Sequence, residues 1–311
     1  MEYRKLANAG IEVSSIALGT WVFGGDMWGG SDEEDCIKAV CAAIDMGVNL
    51  IDTAPIYGFG RSEMILGKAL KGKREKVILA TKCGLIREGK RISNNLKPES
   101  IIKELDESLK RLQTDYIDIY QCHWPDPKTP IRETMACLER LKDKGKIKFI
   151  GVSNFDAGQL EAAFKGVKLS TTQNQYSILE RKVEEKVLPT AIELGIGMIT
   201  YGGLGGGILT GKYDTMTSFK GGDARSFFYR FYTKEDFPKI QKLLDLIKEI
   251  NKPLNQTAIN WVRAQKGIAS VIVGCRNEKQ ANENISAAQW DLESKDIEVL
   301  RNSAKEIIGV E

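Results

Sequence analysis

One histidine in 311 residues is too few to build a His-rich metal site, so no metal ligand set is expected. The six cysteines, Cys36, Cys41, Cys83, Cys122, Cys137 and Cys275, form no C-x-x-C pair. Neither a zinc site nor a disulfide framework has the spacing it needs. Charge of one sign is missing too: 45 Lys plus Arg stand against 42 Asp plus Glu, a net +3. That balance leaves no electrostatic footprint for nucleic acid. Met1 to Gly10 is charged from Glu2 onward and has no apolar core, which excludes a signal peptide or membrane anchor there. A cytoplasmic chain with no membrane or nucleic-acid partner is expected. No linker, composition break or low-complexity segment divides the chain, and no G-x-G-x-x-G follows a strand-like run. The last absence removes the main support for a doubly wound dinucleotide domain, the alternative α/β architecture.

What is present is an alternation of short apolar runs with longer amphipathic stretches. The spacing predicts strands at Ile16–Leu18, Val48–Ile51, Val77–Ala80, Ile117–Cys122, Ile147–Val152, Thr171–Asn174, Gly197–Tyr201 and Ser270–Val273. Helical periods fall between them, at Asp32–Met46, Ser62–Leu70, Pro98–Leu112, Ile131–Lys144, Ala157–Phe164, Val183–Leu194, Phe237–Ile250 with Gln256–Ala264, and Glu278–Ala287. Pro98 and Pro130 sit near helix starts, and Gly47, Gly145 and Gly195 at helix ends. Eight repeats of this kind predict an α/β fold of the (β/α)8 TIM-barrel type, one domain over residues 1–311. Residues 1–15 read as a hairpin capping the barrel bottom. Residues 202–236 read as a long loop after the seventh strand, with Phe227, Phe228, Tyr229, Phe231 and Tyr232 close together. This cluster, interleaved with Arg225 and Arg230, is either a substrate lid or a packed loop.

In such a barrel, chemistry gathers at the C-terminal ends of the strands. The residues there are polar: Asp52, Lys82, His123, Ser153 with Asn154, Gln173 with Asn174, Tyr201 and Arg276. A single polar strand end is commonplace, but Asp52, Lys82 and His123 follow three successive strands into one mouth, where buried charges need partners. Tyr57 comes five residues after Asp52. An ammonium at Lys82 would lower the pKa of the Tyr57 phenol, Asp52 would hold Lys82, and His123 would bond the same oxygen as neutral imidazole. Such a group suits protonation of a carbonyl oxygen while hydride reaches its carbon.

The set resembles the aldo-keto reductases. The likeness lies in Asp52-Thr53-Ala54 with Tyr57-Gly58, Thr81-Lys82, His123-Trp124-Pro125, Gly151 to Phe155, Gln173 to Tyr176, and Val273-Gly274-Cys275-Arg276 followed by Gln280, Glu283 and Asn284. The resemblance implies reduction of small aldehydes or ketones with NADPH, bound extended across the barrel mouth, with Asp52, Tyr57, Lys82 and His123 as the catalytic four. It implies that Ser153, Asn154 and Gln173 hold the nicotinamide carboxamide and that Tyr201 stacks on the ring. Thr20 and Trp21 would line the mouth beside Asp52, with Gly202 and Leu204 following the stacking tyrosine. Lys212 and Arg225 would reach the pyrophosphate, and Gly274, Arg276, Gln280, Glu283 and Asn284 the adenosine end. The family also includes potassium-channel accessory subunits, so a nicotinamide-holding sensor is the competing expectation.

Two features depart from that pattern. Gly202-Gly203 stands where the family has Ser-Pro, which predicts a more flexible loop. Gly206 to Lys212 matches the glycine and lysine part of a P-loop, but Tyr213 follows in place of the Ser or Thr that ligates magnesium, which argues against a nucleotide triphosphatase. The short tail after Trp290 predicts an open pocket for small, varied carbonyls.

Overall fold

A computed structural model describes residues 1–89, 91–219 and 221–309. The chain opens with an antiparallel hairpin, β1 (Tyr3–Leu6) and β2 (Ile11–Ser14). The barrel then begins with β3 (Ile16–Gly19), α1 (Glu33–Asp45), β4 (Leu50–Asp52), α2 (Arg61–Ala69) and β5 (Ile78–Cys83). A second hairpin, β6 (Leu85–Glu88) and β7 (Arg91–Asn94), interrupts the alternation before α3 (Pro98–Leu112). There follow β8 (Ile117–Cys122), α4 (Ile131–Asp143), β9 (Ile147–Ser153), α5 (Ala157–Phe164), β10 (Leu169–Gln175), α6 (Val187–Glu193) and β11 (Gly197–Tyr201). The chain ends with α7 (Phe237–Glu249), α8 (Leu254–Arg263), β12 (Ile268–Gly274), α9 (Glu278–Ile285) and α10 (Ser294–Ile308).

Eight parallel strands close into one barrel in the order β10, β11, β12, β3, β4, β5, β8, β9. All eight expected strands are present. The ring is completed by pairs such as Ile272 with Ala17 and Gln173 with Ser153. The fold is a (β/α)8 barrel.

Strand parity divides the apolar residues between two cores. Side chains facing outward from the strands pack under the helices, as Leu18, Ile51, Leu79 and Tyr120 do. Those facing inward, among them Ala17, Leu50, Ala80, Ile119 and Ile199, fill the barrel. Leu6 and Val13 of the first hairpin join the inner core and are fully buried. Above that apolar plug the same parity brings up polar residues, and these form the mouth.

Two expectations are corrected by the fold. The tail after Trp290 is not a loose end: it includes α10, packed against α7 on the outer wall, with the Trp261 indole N–H donating to Ile297 O at 3.2 Å. Its apolar residues, Leu300 and Ala304 among them, belong to the wall, so they say nothing about the mouth. The aromatic loop, in turn, does both things weighed for it. Phe227, Phe228 and Tyr229 line the mouth, while Phe231 and Tyr232 pack into the outer core toward Phe237. Among the described residues, no helix is long and apolar enough to cross a membrane.

Candidate active site

Leu50 and Asp52, Ala80 and Lys82, and Ile119 and Gln121 alternate inward along β4, β5 and β8, which carries three polar side chains up from the inner core. Lys82 is fully buried and donates from Nζ to three acceptors: Asp52 Oδ1 at 2.5 Å, Thr53 O at 3.0 Å and Tyr57 Oη at 3.1 Å. An ammonium has three N–H donors, so all are spent. Asp52 Oδ2 in turn accepts from Gln173 Nε2 at 2.8 Å and Gln121 Nε2 at 3.3 Å. The buried ion pair is thus bonded on every side, as a pair taken out of water has to be.

Tyr57 stands on the turn after β4. Its backbone is pressed against the loop after β3: a Cβ on Gly58, where φ is +60°, would come within 2.5 Å of Gly24 O. Only glycine allows that approach. Above, the Trp21 ring stacks on the Tyr57 ring with centroids 5.8 Å apart and planes 23° apart. His123 meets the Tyr57 ring edge-on, also at 5.8 Å.

Burial governs the acidity of these groups. It pushes the Tyr57 phenol well above its ordinary value, and the Asp52 charge adds to the effect. This corrects the expectation that Lys82 would make the phenol more acidic: desolvation of the phenolate outweighs the ammonium at 3.1 Å. Burial also pulls Lys82 down, against the opposing attraction of Asp52. Burial and the Lys82 charge hold His123 well below its usual range, so its imidazole is neutral at neutral pH, as expected.

Asp52, Tyr57 and His123 open onto a cavity of about 850 Å³ at the barrel mouth. Of the residues expected to serve catalysis or cofactor, all but Lys82 line it. Lys82 lies beneath its floor, reaching the cavity only through Tyr57. Several of the others are turned toward protein partners. Thr20 gives its hydroxyl to Asp52 O at 3.1 Å, which makes it a brace behind the site. Ser153 Oγ donates to Gln173 O at 2.9 Å, and Asn154 Nδ2 donates to His123 O at 2.9 Å. Tyr201 donates to Asn154 Oδ1 at 2.8 Å, which fixes its ring on the cavity wall. The expected carboxamide cradle is therefore knitted together by its own hydrogen bonds.

At the far end, Lys212, Arg225 and Arg276 border the cavity with Gln280, Glu283 and Asn284. Arg225 is not a free cation. Asp223 takes it bidentately at 2.5 and 2.7 Å and Tyr213 accepts a third bond at 2.5 Å, so it borders the cavity as an already paired cation. Arg276 donates to Trp28 O, and Gln280 Oε1 accepts from the Arg276 backbone N–H at 3.0 Å. Gly202, Gly203, Leu204, Gly206 and Gly207 also line the cavity. Gly206 and Gly207, with φ of +70° and +103°, sit under Tyr229 and Tyr213, so the glycines are demanded by backbone geometry as well as offering looseness. A long trough with a reducible-substrate end and a basic end fits an extended dinucleotide.

Sequence reasoning missed Gln121, Trp28 and the hairpin residues Leu85 and Ile92, all of which bear on this cavity. Gln121 could have been found, since it shares inward parity with Ile119 along its strand.

Comparison with known proteins agrees with this geometry. The profile described as "Aldo/keto reductase family" matches residues 15–305. The chain belongs to that family. It is 42% identical to aldo-keto reductase YhdN of Bacillus subtilis, over 100% of this chain and 97% of that protein. It is 37% identical to an NADH-specific methylglyoxal reductase of Escherichia coli, over 96% and 97% of the two. The solved structure of a glycerol dehydrogenase from Gluconobacter oxydans superposes with a TM-score of 0.90 at 35% identity, covering 98% of this chain and 96% of that one. As an aldo/keto reductase, the protein is an oxidoreductase of small carbonyl compounds that works with a nicotinamide cofactor.

Proposed function

We propose that the protein reduces small aldehydes or ketones with NADPH in the cytoplasm, Tyr57 giving its proton to the carbonyl oxygen. The observation that carries this reading is the bonding of Lys82. With its three N–H groups on Asp52, Thr53 and Tyr57, the ammonium occupies a lone pair of the phenol oxygen, and the phenolic hydrogen remains for an oxygen on the cavity side. Burial keeps that proton on Tyr57 until a stronger acceptor develops, and Lys82 stabilises the charge left behind. His123, neutral and beside the Tyr57 ring, offers a second hydrogen bond to the same carbonyl oxygen. Asp52 keeps Lys82 charged and in place. When bound, the nicotinamide cofactor supplies the hydride.

Ser153, Asn154 and Gln173 would receive the carboxamide by exchanging hydrogen bonds they now make within the protein, and Tyr201 would face the ring. Gly202, Leu204, Lys212 and Arg225 would flank the pyrophosphate. Gly274, Arg276, Gln280, Glu283 and Asn284 would take the adenosine end, where Arg276 supports NADPH over NADH by supplying a guanidinium for a 2′-phosphate. The Escherichia coli relative is named as NADH-specific, so cofactor choice is the finer point to measure.

The test is NADPH and NADH oxidation across a panel of aldehydes and ketones, with Kd for both cofactors. Turnover with NADPH that is lost in Tyr57→Phe is expected. Tight cofactor binding without turnover on any carbonyl would favour a nicotinamide-holding sensor instead.

A further inference from the structure

The hairpin β6–β7 grows directly from the strand that carries Lys82. Leu85 and Ile92 on it line the same cavity as Trp124, Tyr57 and His123. Its base is closed by Asn95 N–H donating to Gly84 O at 3.0 Å. Gly84 has φ +91°, and a Cβ there would come within 2.3 Å of Leu96 Cδ2, so the hinge tolerates only glycine. Three contacts tie the C-terminal side of this hairpin down: Asn94 Nδ2 to Pro125 O at 2.8 Å, Leu96 N–H to Asp126 Oδ2 at 3.0 Å, and Thr134 Oγ1 to Leu96 O at 3.0 Å.

The N-terminal side has one side-chain anchor of a different kind. Glu104, buried on α3, accepts the Gly84 N–H on both carboxylate oxygens at 3.1 Å each, and Ser100 Oγ at 3.2 Å. A neutral amide could accept one N–H without the desolvation that a buried carboxylate suffers. The groups acting on Glu104 give it no counter-charge among the described residues. Glu63 faces it from α2 and is itself paired with Arg111, Glu107 lies on its own helix, Cys83 on β5 and Tyr120 on β8. Only an N–H and a hydroxyl hold the charge there.

We infer that Glu104 is a positioning residue for this cavity: as a carboxylate it fixes Gly84 and sets the hairpin that lines it, and on protonation it releases that hold. The inference rests on the proposed carbonyl reduction at the same cavity. Burial pushes Glu104 up to about 7, against the hydrogen bonds from Gly84 and Ser100, so the switch falls in the neutral range. His123 lies well below that range and Tyr57 well above it.

The test compares wild type with Glu104→Gln in steady-state kinetics with NADPH and benzaldehyde from pH 5.5 to 8.5. Amide hydrogen exchange over residues 84–96 is followed in the same proteins. In wild type, KM for the aldehyde should rise about three- to tenfold from pH 8 to pH 6, with kcat changing less than about twofold. Protection of the hairpin should fall over the same interval once intrinsic exchange is corrected. Glu104→Gln should have a flat KM near the acidic wild-type value and pH-independent protection. A wild-type KM flat across this range, or the same inflection in Glu104→Gln, overturns the inference. If no carbonyl is reduced at all, the proposed function fails on its own. Hydrogen exchange then decides the role of Glu104: pH-dependent protection only in wild type supports it, and equal protection in both proteins overturns it.

Discussion

The Lys82 ammonium lies 3.1 Å from the phenol oxygen of Tyr57, yet burial leaves that phenol less acidic than a free tyrosine. In the proposed reaction the two facts together would make Tyr57 a proton donor held in reserve. Desolvation disfavours the phenolate in the resting site, while the ammonium is already placed where negative charge appears once the proton leaves.

Tyr57→Phe keeps the ring that stacks on Trp21 and removes only the proton donor. A positioned general acid contributes about 10² to 10⁴-fold, so kcat for carbonyl reduction should fall by at least that order. Cofactor Kd, followed by fluorescence, should stay within a few-fold. Retained turnover would sink the assignment of Tyr57.

The position of Tyr57 depends on two glycines. A Cβ on Gly24 would meet Gly58 N at 2.5 Å and the Tyr57 carbonyl carbon at 2.8 Å, and backbone on both sides cannot yield. Gly24→Ala should destabilise the fold by about 1–3 kcal/mol. It should also lower kcat more than it weakens cofactor binding. Gly221→Ala, where nothing lies within 4 Å of the added carbon, is the control and should match wild type in both. Identical kinetics for the two variants would show that the Gly24–Gly58 contact does not set the tyrosine.

The barrel strands were legible because most are short apolar runs with polar ends, and Asp52, Lys82 and His123 could be placed together once eight strand segments were counted. The hairpin at Leu85–Asn94 was not. Leu85-Ile86 and a lone Ile92 flank a charged stretch, with no apolar run of strand length, and what holds the hairpin is tertiary: Glu104 from α3, Asp126 and Pro125 from the loop after β8. Side-chain pairing was equally hidden. Nothing in the local sequence shows that Tyr201 spends its hydroxyl on Asn154, or that Thr20 turns away from the cavity to Asp52. The capture of Arg225 by Asp223, two residues away, differs, since close spacing of opposite charges is visible in the sequence.

His123 makes stability depend on acid. Its folded-state value is depressed by burial and by Lys82, so below its usual 6.5 the unfolded chain binds a proton that the folded chain refuses. Stability should therefore rise with pH across the window up to about 6.5 and be lost as pH falls through it. His123→Gln keeps a neutral polar side chain and should lessen that loss, as read from melting temperatures between pH 5 and 7. The same pH dependence in both proteins would remove His123 as its source.

Arg276 and Arg225 should differ when removed. A charge-assisted hydrogen bond is worth about 1.5 to 3 kcal/mol, or roughly 10 to 150-fold in affinity. Arg276→Ala should weaken NADPH by about that factor and leave NADH nearly unchanged, and the wild-type preference should shrink with added salt. Arg225 already has Asp223 as its counter-charge, so Arg225→Ala should discriminate less between the two cofactors. Equal Kd values for NADPH and NADH in wild type would refute this placement of Arg276 and leave Tyr57 untouched.

Glu104 should leave a mark on stability that is separate from any effect on catalysis. Burial raises its folded-state value from 4.5 to about 7, so between those limits the folded chain binds more proton than the unfolded one. The sign is opposite to that for His123: stability falls as pH rises through this window, and the loss is complete above about 7. The shift corresponds to about 3 kcal/mol. Glu104→Gln has no proton to give up, so its stability relative to wild type should grow by about that amount between pH 4.5 and pH 8. Urea midpoints at the two limits read the difference directly. Parallel pH profiles for the two proteins would mean that the Glu104 carboxylate is not held against its burial, and the hinge at Gly84 would then have no titrating anchor.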